Sequence, residues 1–315
     1  MKTYECAVVG RTCIDFIAIV EKYPKKNTKV PLIKYDICLG GQAANAAVVP
    51  SELGVKTVLL SYVGNDEYGK LAKKFLSKHK NLDVILNKSS YTPCAFIWTE
   101  KQTAERTIVY QKIESDTLYF KNLIKKISSK TKYILFDHQS SKSIFNAILE
   151  IRKNKVKIMM DAEREDPYMF KLLKYINYLI FSKEIVKFLK INVKQLLRKF
   201  IKLGPEIVCC TLGEEGAIAM VKDSDKIYYS KAIKVKPVDT TGAGDVFHAG
   251  FMYGIIKQWR IQDILSFSNK LAGLSTKYIG GSSFVHSAAK TFPNAGLGIG
   301  VGSRGLIWIS TLSNW

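Results

Sequence analysis

The chain predicts an α/β protein built on one mostly parallel sheet with helices on both faces. Three observations carry that prediction. Short apolar runs rich in β-branched and aromatic residues alternate with amphipathic stretches along most of the sequence. The 315 residues, 47% of them hydrophobic, suffice to enclose a packed core. No window approaches the roughly 18 uninterrupted apolar residues of a membrane span. The apolar start Cys6 to Val20 is broken by Arg11 and Asp15, so it reads as neither a span nor a signal peptide.

Tyr4–Val9, Thr57–Tyr62, Tyr133–Phe136, Val156–Met160, Tyr178–Phe181 and Ile207–Cys210 read as buried strands, with helix candidates near 43–53, 66–78, 141–153 and 183–202. Sheets of this kind bind ligands at the carboxyl ends of their strands. Two segments, Ile14–Cys38 and Pro93–Gln111, break the alternation with period-two patterns around polar turns. They predict a small β-sheet projecting from the main domain, able to exclude water from a site beneath it. After Asp263 no acidic residue remains, and from Ala295 glycine alternates with other residues. The fold is therefore expected to occupy 1–286, with 287–315 an appendage outside it.

The net charge of +21 raises the question of nucleic acid. Residues 121–202 hold 20 Lys and Arg against seven Asp and Glu, but the cations are spaced along amphipathic helices rather than packed in a tract. With no aromatic-interleaved stripe beside them, they read as solvated helix faces, and neither nucleic acid nor membrane is the favoured partner. Six scattered cysteines without a C-x-x-C pair indicate neither zinc nor a disulfide framework, which suits a reducing cytoplasm.

Two glycine turns carry the chemistry. In Asp239-Thr240-Thr241-Gly242-Ala243-Gly244-Asp245 the turn opens an apolar helix near Ala243. Backbone N–H groups of Gly242, Ala243 and Gly244 at a helix start can converge on an anion, and glycine lets phosphate oxygens approach closely. Asp245, in the same first turn, suits either a helix cap or a base that accepts a hydroxyl proton during phosphoryl transfer. In the second turn, Gly40-Gly41-Gln42-Ala43-Ala44-Asn45, two amides three residues apart share a helix face and suit a polyhydroxylated ligand. Asp15, interrupting an apolar run, needs a partner if buried. Asp137 and Glu163 end predicted strands, where an acid faces a site or caps the next helix. His248, three residues past Asp245, lacks metal-ligand spacing and reads as a packing residue.

The paired turns, with Gly54 and Gly64-Asn65-Asp66-Glu67-Tyr68-Gly69 between them, resemble in order and separation the two signatures of the ribokinase-like carbohydrate kinases, also called the phosphofructokinase-B family, over about residues 4–285. The stretches Val9-Gly10 to Asp15, Glu21-Lys22-Tyr23-Pro24-Lys25, Arg106-Thr107-Ile108-Val109 and Phe181-Ser182-Lys183-Glu184 look closest to the ketohexokinase branch. That resemblance implies a ribokinase-like three-layer α/β/α sandwich with a small β-sheet lid, and an ATP-dependent kinase acting on a hydroxyl, a primary one first, of a free sugar or sugar derivative. It implies Asp15, Gly41, Gln42, Asn45 and Asp137 on the substrate side, Arg106 reaching from the lid, Asp245 as base, and Gly242, Ala243 and Gly244 as anion hole. On the nucleotide side it implies Thr211, Gly213, Gly216, Asn269 and Lys183, with ATP and Mg2+ required and no residue named as a metal ligand. A monovalent-cation requirement and a homodimer through the lid stay open, as do two other readings: a nucleoside kinase of the same fold, and a non-catalytic sugar- or nucleotide-sensing protein. Two departures bear on substrate. Gln42 stands where the ketohexokinase pattern has Asn, and the Asn-x-x-Glu element linked to magnesium and phosphate is replaced by Lys183-Glu184-Ile185-Val186.

Overall fold

The computed structural model describes residues 3–112, 121–164 and 166–285. The expected appendage 287–315 lies outside the described residues. In chain order the elements are β1 (Tyr4–Val9), β2 (Cys13–Val20), β3 (Leu32–Gly40), α1 (Gln42–Glu52), β4 (Thr57–Gly64), α2 (Glu67–Leu76), β5 (Leu82–Ser89), β6 (Cys94–Glu100) and β7 (Arg106–Tyr110). There follow α3 (Lys121–Ser128), β8 (Thr131–Asp137), α4 (Ser141–Lys153), β9 (Lys157–Ala162), α5 (Pro167–Leu172), β10 (Tyr178–Ser182), α6 (Lys183–Leu189) and α7 (Val193–Ile201). The described chain closes with β11 (Ile207–Thr211), β12 (Ala217–Val221), β13 (Ile227–Ser230), α8 (Ala243–Ile256) and α9 (Ile261–Ser275).

The large sheet runs β13-β12-β11-β10-β9-β8-β1-β4-β5, parallel except for β12 and β13. Period-two alternation divides its side chains between two cores. Cys6 and Val8 of β1 pack with residues of α1, α8 and α9 on one face, while Ala7 and Val9 pack with residues of α4 and α7 on the other. The three-layer sandwich follows from strands apolar on both faces. All six cysteines are buried, and the adjacent Cys209 and Cys210 point into opposite cores. Among the described residues no helix is long and apolar enough to cross a membrane.

Strand order reverses around β1, whose neighbours are β8 and β4, so a crevice opens at the carboxyl ends of β1 and β8. Over it sits a second sheet, β3-β2-β6-β7, built from the two segments that break the alternation in sequence. Its outer face leaves Leu32, Tyr35, Phe96 and Val109 exposed.

The structure corrects one helix and adds others. The stretch 183–202 is two helices, because Lys190 turns left-handed (φ 53°) and Asn192 begins a new helix by accepting from Lys194 N–H at 2.9 Å. The turn Gly64–Gly69 is a structural knot. Asp66 caps α2 through Gly69 N–H at 2.7 Å and also accepts from Thr92 N–H and Oγ1–H at 2.7 Å each, fixing β4 to the start of the second lid segment. A Cβ at Gly64 would overlap the Asp66 carboxylate.

Candidate active site

One cavity of about 1330 Å³ lies between the strand ends, the lid and the start of α8. It exceeds what a single drug-sized ligand needs, so two molecules fit side by side. Its walls include all but one of the expected site residues: Asp15, Gly41, Gln42, Asn45, Arg106, Lys183, Thr211, Gly213, Gly216, Gly242, Ala243, Gly244, Asp245 and Asn269. The exception is Asp137. Its carboxylate accepts from Arg11 N–H at 2.7 Å, from Ser140 N–H at 3.0 Å and from Ser140 Oγ–H at 2.9 Å, so it caps the turn after β8.

The two glycine turns meet across the cavity. Asn45, 1% exposed, donates from Nδ2 to Asp245 Oδ2 at 2.9 Å, while the other carboxylate oxygen has no protein donor among the described residues. Gly41 (φ 94°) and Gly242 (φ 72°) take left-handed conformations that only glycine adopts without strain. A Cβ at Gly242 would strike Gly281 Cα, whereas one at Gly244 would enter open space. The Asp239 carboxylate pins the loop by accepting from Thr241 N–H (3.0 Å), Thr241 Oγ1–H (2.7 Å) and Gly280 N–H (2.9 Å). Ala243 N–H turns back to Thr240 O at 3.3 Å, leaving Gly242 and Gly244 N–H without a protein acceptor among the described residues.

Carboxylates crowd this floor. Burial first, and then the nearby Asp161 carboxyl, pushes Asp245 up to about 7, against the hydrogen bond from Asn45. Asp15, 4% exposed, is raised to about 6 by burial, although Cys13 Sγ–H donates to it at 3.1 Å. Its carboxyl occupies the space that any Cβ on Gly40 would need. Gln42, in the cavity wall, donates from Nε2 to Glu163 at 3.1 Å and Asp161 at 3.4 Å.

His248 packs as expected but also belongs to this network. Its Nδ1 lies 2.6 Å from Gly244 O, and since a carbonyl only accepts, the ring proton sits there. Nε2 then faces Asp161 Oδ1 at 3.3 Å with a lone pair. Burial lowers His248 and raises Asp161, and the Glu163 and Asp137 carboxyls add to the rise at Asp161. Sequence gave no sign of Asp161 as a member of the site beyond its strand-end position.

At the other end Gly213 (φ 66°) and Gly216 (φ 104°) shape the turn after β11, closed by Leu212 N–H to Gly216 O at 2.8 Å. Lys183 Nζ lies 3.3 Å from where a Gly213 Cβ would stand, placing a cation over that turn. Asn269 donates from Nδ2 to Ser230 O at 2.8 Å, which ties α9 to the edge strand and uses half of its amide. From the lid, Arg106 Nη1 donates to Thr240 Oγ1 at 2.6 Å. Arg106→Ala is expected to raise acceptor KM about tenfold, the worth of one charged hydrogen bond, with the melting temperature unchanged. Steady-state kinetics and a thermal melt check both halves.

Known proteins resemble the chain over most of its length. An ATP-dependent 6-phosphofructokinase of Thermoanaerobacterium thermosaccharolyticum is 26% identical over 297 residues, covering 89% of this chain and 90% of the relative. Mouse ketohexokinase is 24% identical over 290 residues, covering 87% and 96%. The solved structure of Arabidopsis thaliana ribokinase complexed with ribose and ATP shares the fold, with a TM-score of 0.72 at 21% identity over 90% of this chain and 95% of that one. The pattern described as pfkB family carbohydrate kinase matches residues 4–288, nearly the whole described fold, and the chain therefore belongs to that family of phosphotransferases acting on sugar hydroxyls.

Proposed function

We propose that the chain transfers the γ-phosphoryl group of ATP to a hydroxyl, a primary one first, of a sugar or sugar derivative, with Asp245 as base. One observation carries this reading. The Asn45 to Asp245 hydrogen bond joins turns 200 positions apart, so the base and the amide-bearing helix form one wall. An acceptor hydroxyl against the free oxygen of Asp245 is aimed by that oxygen, which takes the proton late, because phosphoryl transfer is loose. Gly242 and Gly244 N–H groups face the charge gathering on the transferred group. Asp15 accepts from a second hydroxyl of the same acceptor and sets its orientation.

Among the described residues no group of three or more His, Cys, Asp or Glu side chains suits a metal ion. That donor set fits magnesium that enters on the nucleotide, held chiefly by phosphate oxygens and water. When bound, magnesium neutralises charge on the β- and γ-phosphates. Lys183, above the Gly213 turn, adds a cation on the protein's side.

The test is coupled ADP release over ketoses, aldoses, sugar acids and nucleosides. Turnover of a sugar supports the reading, and turnover confined to nucleosides replaces it with a nucleoside kinase. Ligand-induced melting shifts without ADP release would make the chain a sensor.

The pH dependence is a sharper check. Both carboxylates act ionised, so kcat/KM for the acceptor is expected to fall about tenfold per pH unit below about 7, where Asp245 gains its proton, and to steepen below about 6, where Asp15 follows. A profile flat from pH 5 to 8 would remove Asp245 from the role of base.

A further inference from the structure

In sequence the lysines of residues 121–202 are spaced along helices, but the fold brings one end of those helices together. α3, α4, α5 and α7 each run back toward the amino ends of the parallel strands, the end of the sheet opposite the cavity. The last turns of α3, α4 and α7 carry Lys125 and Lys126, Arg152 and Lys153, and Arg198 and Lys199. The connections that lead on to β8, β9, β10 and β11 add Lys130, Lys155, Lys174 and Lys202.

Contacts join these ends side by side. Asn154, just past α4, donates from Nδ2 to Ser128 Oγ at the end of α3 at 2.8 Å. Arg152 and Lys174 both lean over the Tyr175 ring, 5.6 and 5.0 Å from its centre. Gly204, past α7, lies so close that a Cβ on it would stand 2.7 Å from Lys174 Cα. The strands that start here, β8, β9, β10 and β11, are successive parallel neighbours, so the cations span about 15 Å of sheet edge.

These ten cations are exposed or, for Lys130, half-exposed, and among the described residues none has a carboxylate within 4.0 Å. The acids beside them are Glu150, Glu5 of the adjoining β1, and Glu206, which accepts from Lys157 and Asn177. Beyond β11 the turn between β12 and β13 sets Asp223 and Asp225 against Lys222 and Lys226, which bounds the patch. Cations at helix C-termini offset the macrodipole, but at about half a charge per end four helices offset only about two of the ten.

The side chains among the cations select the kind of anion. Leu203, 44% exposed, follows Lys202, and Leu149, 77% exposed, stands one turn before Arg152 and Lys153. Tyr175, the ring at the centre of the patch, is half-buried and already occupied by two cations, so it is a poor platform for a stacked base. Lysine point charges interspersed with aliphatic side chains match anionic headgroups over acyl chains, where diffuse charge attracts and small apolar groups sink in. We infer that this end of the molecule docks on a membrane surface rich in anionic lipid, with the cavity mouth facing away from the bilayer. None of the ten cations lines the cavity, so docking and phosphoryl transfer use separate residues.

Sedimentation of the full chain with vesicles tests this, using phosphatidylcholine alone or with about 30% phosphatidylserine. At about 0.1 M salt the anionic vesicles are expected to bind at least about tenfold more tightly than the neutral ones, and to lose about tenfold or more at about 0.5 M salt. Each cation near such a surface strengthens binding about fivefold. Lys126→Gln, Lys153→Gln, Lys174→Gln and Lys202→Gln combined, one from each helix end, are therefore expected to cost about 10²-fold or more, with melting within a few degrees of the unmodified protein. The lid lysines Lys22, Lys25, Lys26 and Lys29, between β2 and β3, serve as control: changing all four to Gln removes the same net charge and is expected to cost less than about threefold. Should the fourfold variant melt lower, Lys153→Gln and Lys174→Gln singly, each expected to cost about fivefold, carry the comparison. Duplex DNA added at a phosphate concentration equal to that of phosphatidylserine is expected to leave most of the protein on the vesicles. Absence of binding to anionic vesicles, equal binding to both kinds, a lid variant that loses as much as the end variant, or stripping by DNA, which would give the patch to a polynucleotide, overturns the inference.

Discussion

Asp245→Asn is expected to lower kcat by about 10²–10⁴-fold, the range for loss of a positioned general base, while raising the melting temperature at pH 8. The two effects have one cause. Asp245 is held near 7 in the folded protein by burial and the Asp161 carboxyl, against 3.8 for an ordinary aspartate. Because the folded pKa is the higher one, the folded state binds the proton more tightly than the unfolded chain. Stability contributed by that proton is full below about pH 4, falls as pH rises through the interval, and is gone above about 7. Asparagine fills the same shape, keeps the hydrogen bond from Asn45 and carries no charge, so it relieves a cost on the order of 1–3 kcal/mol at pH 8. At about 2–4 °C per kcal/mol, that rise is measurable by calorimetry, and it is expected to vanish near pH 4. A variant that keeps its turnover, or that melts lower at pH 8, would contradict the assignment. A residue serving only at the helix start would show no gain at pH 8, since Asn caps as well as Asp and only the favourable interaction of the charge with the helix dipole is lost.

The second large effect separates two glycines only two positions apart. Gly242→Ala places a methyl group against Gly281 Cα and forces a left-handed backbone at φ 72° on a residue with a Cβ. The backbone preference alone costs about 1–2 kcal/mol, and the overlap involves main chain, which yields less easily than a side chain. A melting temperature lower by several degrees is expected, together with loss of activity, because the displaced loop carries Asp245. Gly244→Ala meets nothing and sits in the first turn of α8, where alanine is the better helix former. It is expected to fold at least as well as the unmodified protein and yet lose about 10²-fold or more in kcat, since its methyl group projects toward the transferred phosphoryl group. Parallel melts and ADP-release assays on the two variants test this contrast. Full activity in Gly244→Ala would show that the phosphoryl group travels elsewhere.

What could be read from the chain followed the kind of force holding each part. Central strands such as Tyr4–Val9 and Tyr178–Ser182 are buried on both faces, so their apolar runs announce them. Leu82–Ser89 is partly exposed and mixes Asp83, Asn87 and Lys88 with its apolar residues, so it escaped notice, as did the short antiparallel strands at the opposite edge. The break between α6 and α7 had a visible signal, Asn192 ahead of an amphipathic run, but lysines on both sides kept the pattern looking continuous. Within the site, the glycines and Asp245 were legible because the turn that carries them is encoded locally. Gln42 turning to Glu163, Ala243 N–H closing on Thr240 and two arginines meeting at Tyr110 were not, because each depends on partners brought in by the fold. Asp137 was legible as a strand-end acid that faces a site or caps, and its three donors, from the end of β1 and from Ser140, come in through the fold and the turn after β8.

Arg106 and Tyr110 stand on the lid sheet, whereas Asp245 and its amides stand at the head of α8, a helix buried along most of its length. On the proposed reading, the lid's contacts to the acceptor and the transfer apparatus stand on separate pieces of architecture. Such a division makes the scaffold evolvable: exchanges in the lid strands can redirect the enzyme to a new acceptor while the transfer apparatus is inherited intact. Laboratory libraries confined to residues 94–100 and 106–110 should yield altered selectivity with few inactive members, whereas libraries in 239–245 should yield mostly inactive ones.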